Sequence, residues 1–109
     1  MTVVKIFRKN GSIIGYRANG HTGYSESGTD IICAALSTAL QLPLLSMHEI
    51  LNLSPKFVIN DDGFLEVDLK TLDNENFKKL ELSLETMVLF IKELSKQYPK
   101  NIKLVEKED

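Results

Sequence analysis

Cysteine is almost absent from this sequence; there is one, Cys33. A lone thiol cannot close an internal disulfide, so the disulfide-stapled secreted class is excluded. Histidine is nearly as scarce, with only His21 and His48. One Cys and two His make a poor zinc inventory, because a structural site usually takes four such ligands. No metal site is expected. A cationic surplus is missing too: thirteen Lys and Arg face fifteen Asp and Glu, for a formal net charge of −2. Coating nucleic acid calls for a cationic surplus or face, so direct nucleic-acid binding is not expected. The stretch Met1 to Lys9, MTVVKIFRK, carries charges inside a short apolar run, unlike a signal peptide or membrane span. The longest nearly uncharged stretch, Ile31 to His48, is broken by Pro43 and by hydroxyl and amide side chains. A cytoplasmic protein without membrane association is the expectation.

The composition that remains is globular. Of 109 residues, 43% are hydrophobic and 26% charged, which sets the chain apart from disordered sequences. The length fits one domain over residues 1–109. A folded chain of this size exposes about 6,100 Å² and an extended one about 18,000 Å², so roughly two-thirds of the surface can be buried.

Val3 to Arg8 is rich in β-branched and aromatic residues and reads as a strand. Asn10-Gly11 is a hairpin signal, and Ser12 to Asn19 is the returning strand. Gly20 to Gly28 holds three glycines and two serines and reads as a loop with unusual backbone freedom. A helix is expected over Asp30 to Leu42, capped by Thr29 or Ser27, with Asp30 at the positive end of its dipole. Pro43 is expected to stop or kink it, with a second helical stretch over Leu44 to Leu51. Lys56 to Asn60 and Phe64 to Leu69 form a second hairpin across Asp61, Asp62 and Gly63. Asn74 to Tyr98 is the clearest helix. Phe77, Leu80, Leu84, Met87, Ile91, Leu94 and Tyr98 alternate at spacings of three and four, an unbroken apolar stripe. Pro99 ends it, and Ile102 to Val105 is a last strand before a charged tail. The order ββαββαβ predicts an α+β fold: a small, mostly antiparallel sheet with two main helices packed on it. Leu82 and Leu89 lie off the stripe, about 200° from Leu80 and Met87, as exposed leucines or as a contact with another subunit.

Chemistry concentrates in Gly20 to Ser37, GHTGYSESGTDIICAALS. His21 lies where a strand runs into the glycine-rich loop, and Cys33 follows twelve residues later in the first turns of a helix. The thiolate is the nucleophile of cysteine chemistry, and a helix N-terminus stabilises negative charge. A histidine from an adjoining loop can take the proton, which is the minimal outfit of a cysteine hydrolase. Asp30, Cys33 and Ser37 are three and four apart and share a helix face. Asp30 can orient His21, as a third catalytic member does, or oppose the thiolate by charge repulsion. Ser37 can donate a hydrogen bond near the thiol. The bland alternatives are a small buried thiol and a strand-end histidine bonded to backbone. Gly20, Gly23 and Gly28 match no phosphate-cradling pattern. His48 reads as structural or surface. Lys92, Lys96, Lys100 and Lys103 are interleaved with acids and read as a solvated face.

Gly20-His21-Thr22-Gly23, followed by Asp30-Ile31-Ile32-Cys33-Ala34-Ala35-Leu36-Ser37, resembles the ribosomal-processing cysteine protease family, Prp. That family's pattern is a G-H-x-G loop, then D-x-x-C-A-x-x-S about a dozen residues on. The resemblance covers essentially the whole chain and implies a small α+β homodimer. The implied activity is removal of an N-terminal extension from a basic protein, the twenty-seventh of the large ribosomal subunit. Cleavage is implied after an aromatic and before a small residue. By match to the motif, Cys33 is the nucleophile and His21 the base. Asp30, Ser37 and Gly20 support them, and Gly23, Tyr24 and Gly28 lie in the substrate loop. No cofactor is implied. Tyr24, or the neighbourhood of Ile31 and Leu36, would line the aromatic pocket, and the loop would close over bound peptide. Backbone N–H groups at the start of the Cys33 helix are the natural oxyanion donors. The rival readings are a non-catalytic ribosome-associated binding module and a different thiol hydrolase.

Overall fold

The structure is a computed structural model that describes residues 1–26 and 30–109. Strands β1 (Thr2–Lys9) and β2 (Ser12–Asn19) pair antiparallel through the Asn10-Gly11 turn. Both turn residues have positive φ, 52° and 82°, the conformation a two-residue primed turn requires. The pairing shifts register between Phe7 and Arg8. β3 (Lys56–Asn60) and β4 (Phe64–Asp68) form the second hairpin, and β4 lies antiparallel against β2. β5 (Ile102–Glu108) runs parallel to β1 and extends through what the sequence suggests is a charged tail. The sheet order is β3-β4-β2-β1-β5, mixed but mostly antiparallel, as the ββαββαβ order predicts.

Two helices supply the second layer. Helix α1 (Ile31–Leu45) contains Pro43 within it, and a single π turn over Ser46–Ile50 continues it. The helix therefore does not stop at Pro43. The wide turn that follows lets the Ser46 N–H reach both the Leu42 and Pro43 carbonyls, and Leu51 N–H reaches Ser46 O at 3.1 Å. Ile32, Leu36, Leu40 and Leu44 face inward and join Met47 in the core. The stretch from Ile31 to Ile50 is also long and apolar enough to cross a membrane by length and composition. Tyr16, fully buried, donates its hydroxyl to Leu40 O at 2.7 Å and ties β2 to α1.

Helix α2 (Asn74–Gln97) buries Leu80, Leu84, Met87, Ile91 and Leu94 as its stripe predicts, with Phe77 and Tyr98 half-buried at the ends. Val88 joins them, because it follows Leu84 by one helical turn. Arg8 clamps this helix to the sheet. It holds both Glu85 oxygens at 2.8 and 2.9 Å and Glu106 of β5 at 3.0 Å. Its guanidinium bonds draw the Glu85 carboxyl below the ordinary range. Leu82 and Leu89 lie on the outer face, 81% and 64% exposed.

Candidate active site

His21 follows the end of β2. Gly20 brings the backbone across β1 so closely that a Cβ there would stand 2.5 Å from Met1 O. Gly63, in the β3–β4 turn at φ +77°, accepts the Gly20 N–H at 2.9 Å. The His21 ring lies over this glycine. A Cβ at Gly63 would meet Gly20 O at 2.7 Å and His21 Cε1 at 3.1 Å.

Cys33 is the third residue of α1, half-buried, one turn before Ser37. His21, Gly23, Asp30, Cys33, Ser37 and Asp61 are among the residues lining one open cleft of about 500 Å³. Of the loop residues singled out by sequence, Gly23 lines this cleft, while Tyr24 turns away and meets the Tyr98 ring edge-on at 5.7 Å. Gly28, and the suggested caps Ser27 and Thr29, lie outside the described residues. No hydrogen bond joins His21 and Cys33 among the described residues.

Asp30 is not hydrogen-bonded to His21 among the described residues. It is the N-cap of α1: Oδ1 accepts the Cys33 N–H at 2.8 Å. Its Oδ2 accepts the Thr22 hydroxyl, the Tyr24 N–H at 3.0 Å and the Ser25 N–H at 3.4 Å. Burial pushes this carboxyl up, but the hydrogen bonds from Thr22, Cys33, Ser25 and Tyr24 outweigh it and hold the group below its ordinary 3.8. The carboxylate thus fastens the His21 loop to the start of the Cys33 helix. It also occupies one expected oxyanion donor, the Cys33 N–H, while the next, Ala34 N–H, bonds to Asp30 O at 3.1 Å.

On the other side of Cys33 a narrow cavity shares Cys33 and Ser37 with the cleft and is bounded by Leu36 and Ile59. Ser37, Gln41 and Ile59 also line an open groove of about 720 Å³ between α1 and β3, together with Leu42, Leu45 and Phe57. Leu36 shares the narrow cavity with Cys33, whereas Ile31 is 64% exposed. His48 stands at the far end of the groove, exposed and bonded to Glu49 at 3.3 Å. Among the lysines, Lys92 pairs with Glu106 at 3.5 Å on a solvated face.

Sequence reading passed over three residues around His21: Thr22, Gly63 and Asn101. Gly63 had a signal in the Asp-Asp-Gly turn. Thr22, 1% exposed, had only its place in the motif. Asn101, 79 positions away from Thr22, had none.

The family model described as cysteine protease Prp matches residues 1–103. The chain is similar to the ribosomal processing cysteine protease Prp of Staphylococcus aureus, 25% identical over 104 residues, covering 95% of this chain and 96% of that one. The Bacillus subtilis protein of the same description is 23% identical over 94 residues, 84% of each chain. Among solved structures, the S. aureus ribosomal processing protease Prp with a covalently linked product peptide superposes at TM-score 0.84 and 25% identity. That match covers 98% of this chain and all of the other. A Streptococcus mutans protein superposes at TM-score 0.83 and 25% identity, covering 100% of this chain and 96% of that one.

Proposed function

This chain belongs to the cysteine protease Prp family, and from that premise we propose that it cuts the N-terminal extension from the twenty-seventh protein of the large ribosomal subunit, with Cys33 as nucleophile and His21 as base. The observation that carries the reading is the cleft that His21 and Cys33 share. His21 takes the Cys33 thiol proton, and Sγ attacks the carbonyl carbon of the scissile bond. The tetrahedral intermediate collapses, the C–N bond breaks, and His21 returns its proton to the departing amine. Water, deprotonated by His21, then cleaves the thioester and restores the thiol. Asp30 keeps the loop and the helix start in register, and Ser37 stands one turn below the thiol on the same face. The aromatic residue before the cut has an apolar groove within reach past Leu36 and Ile59.

The S. aureus relative is described with a covalently linked product peptide, which suits a peptide substrate and a covalent intermediate. Net charge of −2 favours encounter with a basic ribosomal protein. That substrate is made in the cytoplasm, which is where the enzyme is proposed to act, as a homodimer.

The test is a peptide carrying the ribosomal extension, read by mass spectrometry. The parent protein cleaves it once, between an aromatic and a small residue. Cys33→Ala abolishes cleavage, and His21→Ala slows it about 10²- to 10⁴-fold, the usual contribution of a general base. Cleavage untouched by Cys33→Ala would sink the mechanism, and an inactive parent protein would favour a binding module.

A further inference from the structure

His21 is held by its neighbours in the chain. Before it, Gly20 N–H donates to Gly63 O at 2.9 Å, and Gly20 O accepts the Thr2 hydroxyl at 3.1 Å. After it, Thr22 is held at two points: its carbonyl accepts Asn101 Nδ2 at 2.8 Å and its hydroxyl donates to Asp30. Asn101 is itself fixed, its N–H on Tyr98 O at 3.0 Å and its carbonyl accepting Thr2 N–H at 2.9 Å. Tyr98, in the same turn, meets the Tyr24 ring. The turn after α2 therefore grips the loop on the far side of His21, while the β3–β4 turn grips it on the near side.

We propose that Asn101 is a positioning residue of the reaction. By holding the Thr22 carbonyl it fixes the backbone that aims His21 into the Cys33 cleft. Through the Thr22 hydroxyl and Asp30, the same link reaches the helix start at Cys33. The proposal rests on reading His21 and Cys33 as the reacting pair. Its physical reason is the flanking glycines. Gly20 and Gly23, both at positive φ, leave the His21 backbone many alternatives that only outside contacts remove. A misplacement of about 1 Å in such a group can cost about 10²-fold in rate. Asn101 does not line the cleft, and its side chain acts there through the Thr22 carbonyl.

The test compares the parent protein with Asn101→Ala and Asn101→Asp. On the extension peptide, Asn101→Ala lowers kcat about 10- to 100-fold with KM within about threefold. Asn101→Asp keeps the shape but sets a carboxylate against the Thr22 carbonyl. The Thr22 carbonyl favours the protonated, donating form and lifts this carboxyl above its ordinary value of about 3.9, so activity relative to the parent is low at pH 7 and recovers toward about pH 4.5. The Asp30 clasp stays ionised there, being held below 3.8. A merely structural lesion has no reason to reverse in this way. A second readout needs no substrate: the NMR cross-peak between the His21 Cε1 proton and the Gly63 α protons. It weakens in Asn101→Ala, weakens in Asn101→Asp at pH 7, and returns for Asn101→Asp in acid. A parental kcat together with a parental cross-peak in Asn101→Ala overturns the proposal. If the parent protein cleaves no such peptide, the functional reading falls and the cross-peak still decides on Asn101. Should Asn101→Ala fail to fold by circular dichroism, the near-isosteric Asn101→Asp carries both comparisons.

Discussion

The Asp30 carboxylate faces backbone N–H groups and a threonine hydroxyl, with no imidazole among its partners in the described residues. That gives it a testable pH signature. A carboxyl whose folded pKa is depressed adds stability that is fully present above its unfolded value and is lost as pH falls through the folded one. Asp30→Ala therefore lowers the unfolding free energy by about 0.5–2 kcal/mol near neutrality, the usual worth of an N-cap. The difference from the parent holds from pH 7 to about 5 and shrinks as pH falls below 3.8, which urea titrations at several pH values would show. A gap that widens in acid would contradict this assignment. Activity on the peptide falls with the same substitution, because loop and helix start lose their common anchor. The sequence puts Asp30 next to the Cys33 helix but does not tell which neighbours its oxygens meet. Hydrogen-bond partners depend on where the loop crosses, and that is set by Gly63 and Asn101, far along the chain.

At the scale of elements, what was legible is what periodicity encodes. The stripe along α2 is the clearest case, with Ile91 fully buried at its centre. Ile91→Ala is expected to cost about 2–5 kcal/mol, from lost burial and a residual cavity. Lys96→Ala, on the exposed side, stays within about 0.5 kcal/mol. Equal losses in urea unfolding would mean that this face is not the core. Both hairpins follow from their turn chemistry, and β2 begins and ends where its residue types suggest. The continuation of the helix past Pro43 has a local cause. A proline removes one helical hydrogen bond, but a buried apolar face on both sides of it keeps the helix running into the π turn. β5 runs longer than its composition suggests, because its charged residues pair along the sheet edge. Glu106 meets Arg8 and Lys92, and Glu108 accepts the Gly11 N–H at 3.2 Å.

At the scale of the molecule, burial is incomplete in one region. The folded chain exposes 6776 Å², above the about 6,100 Å² typical of its size. Part of this is apolar surface at one sheet edge. β3 ends the sheet, all five of its residues are exposed, and Phe57, Val58 and Ile59 are each about half open to solvent. Leu42 and Leu45 of α1 line the same groove as Phe57 and Ile59. An apolar edge strand is a template for pairing with another chain, and proteins that stay monomeric blunt such edges. Lys56 is the one charge on this strand. The proposed homodimer therefore has two candidate faces, this edge and the outer side of α2 with Leu82 and Leu89. The edge offers backbone hydrogen-bonding groups as well as apolar area, so it is the stronger. Light scattering at micromolar concentration should give twice the mass of the chain. Val58→Lys, which charges β3 without touching the Cys33 cleft, should return it to the single-chain mass. Leu82→Lys combined with Leu89→Lys should leave the doubled mass in place. The opposite pattern would move the interface to α2, and a parent protein that is a monomer would remove the dimer.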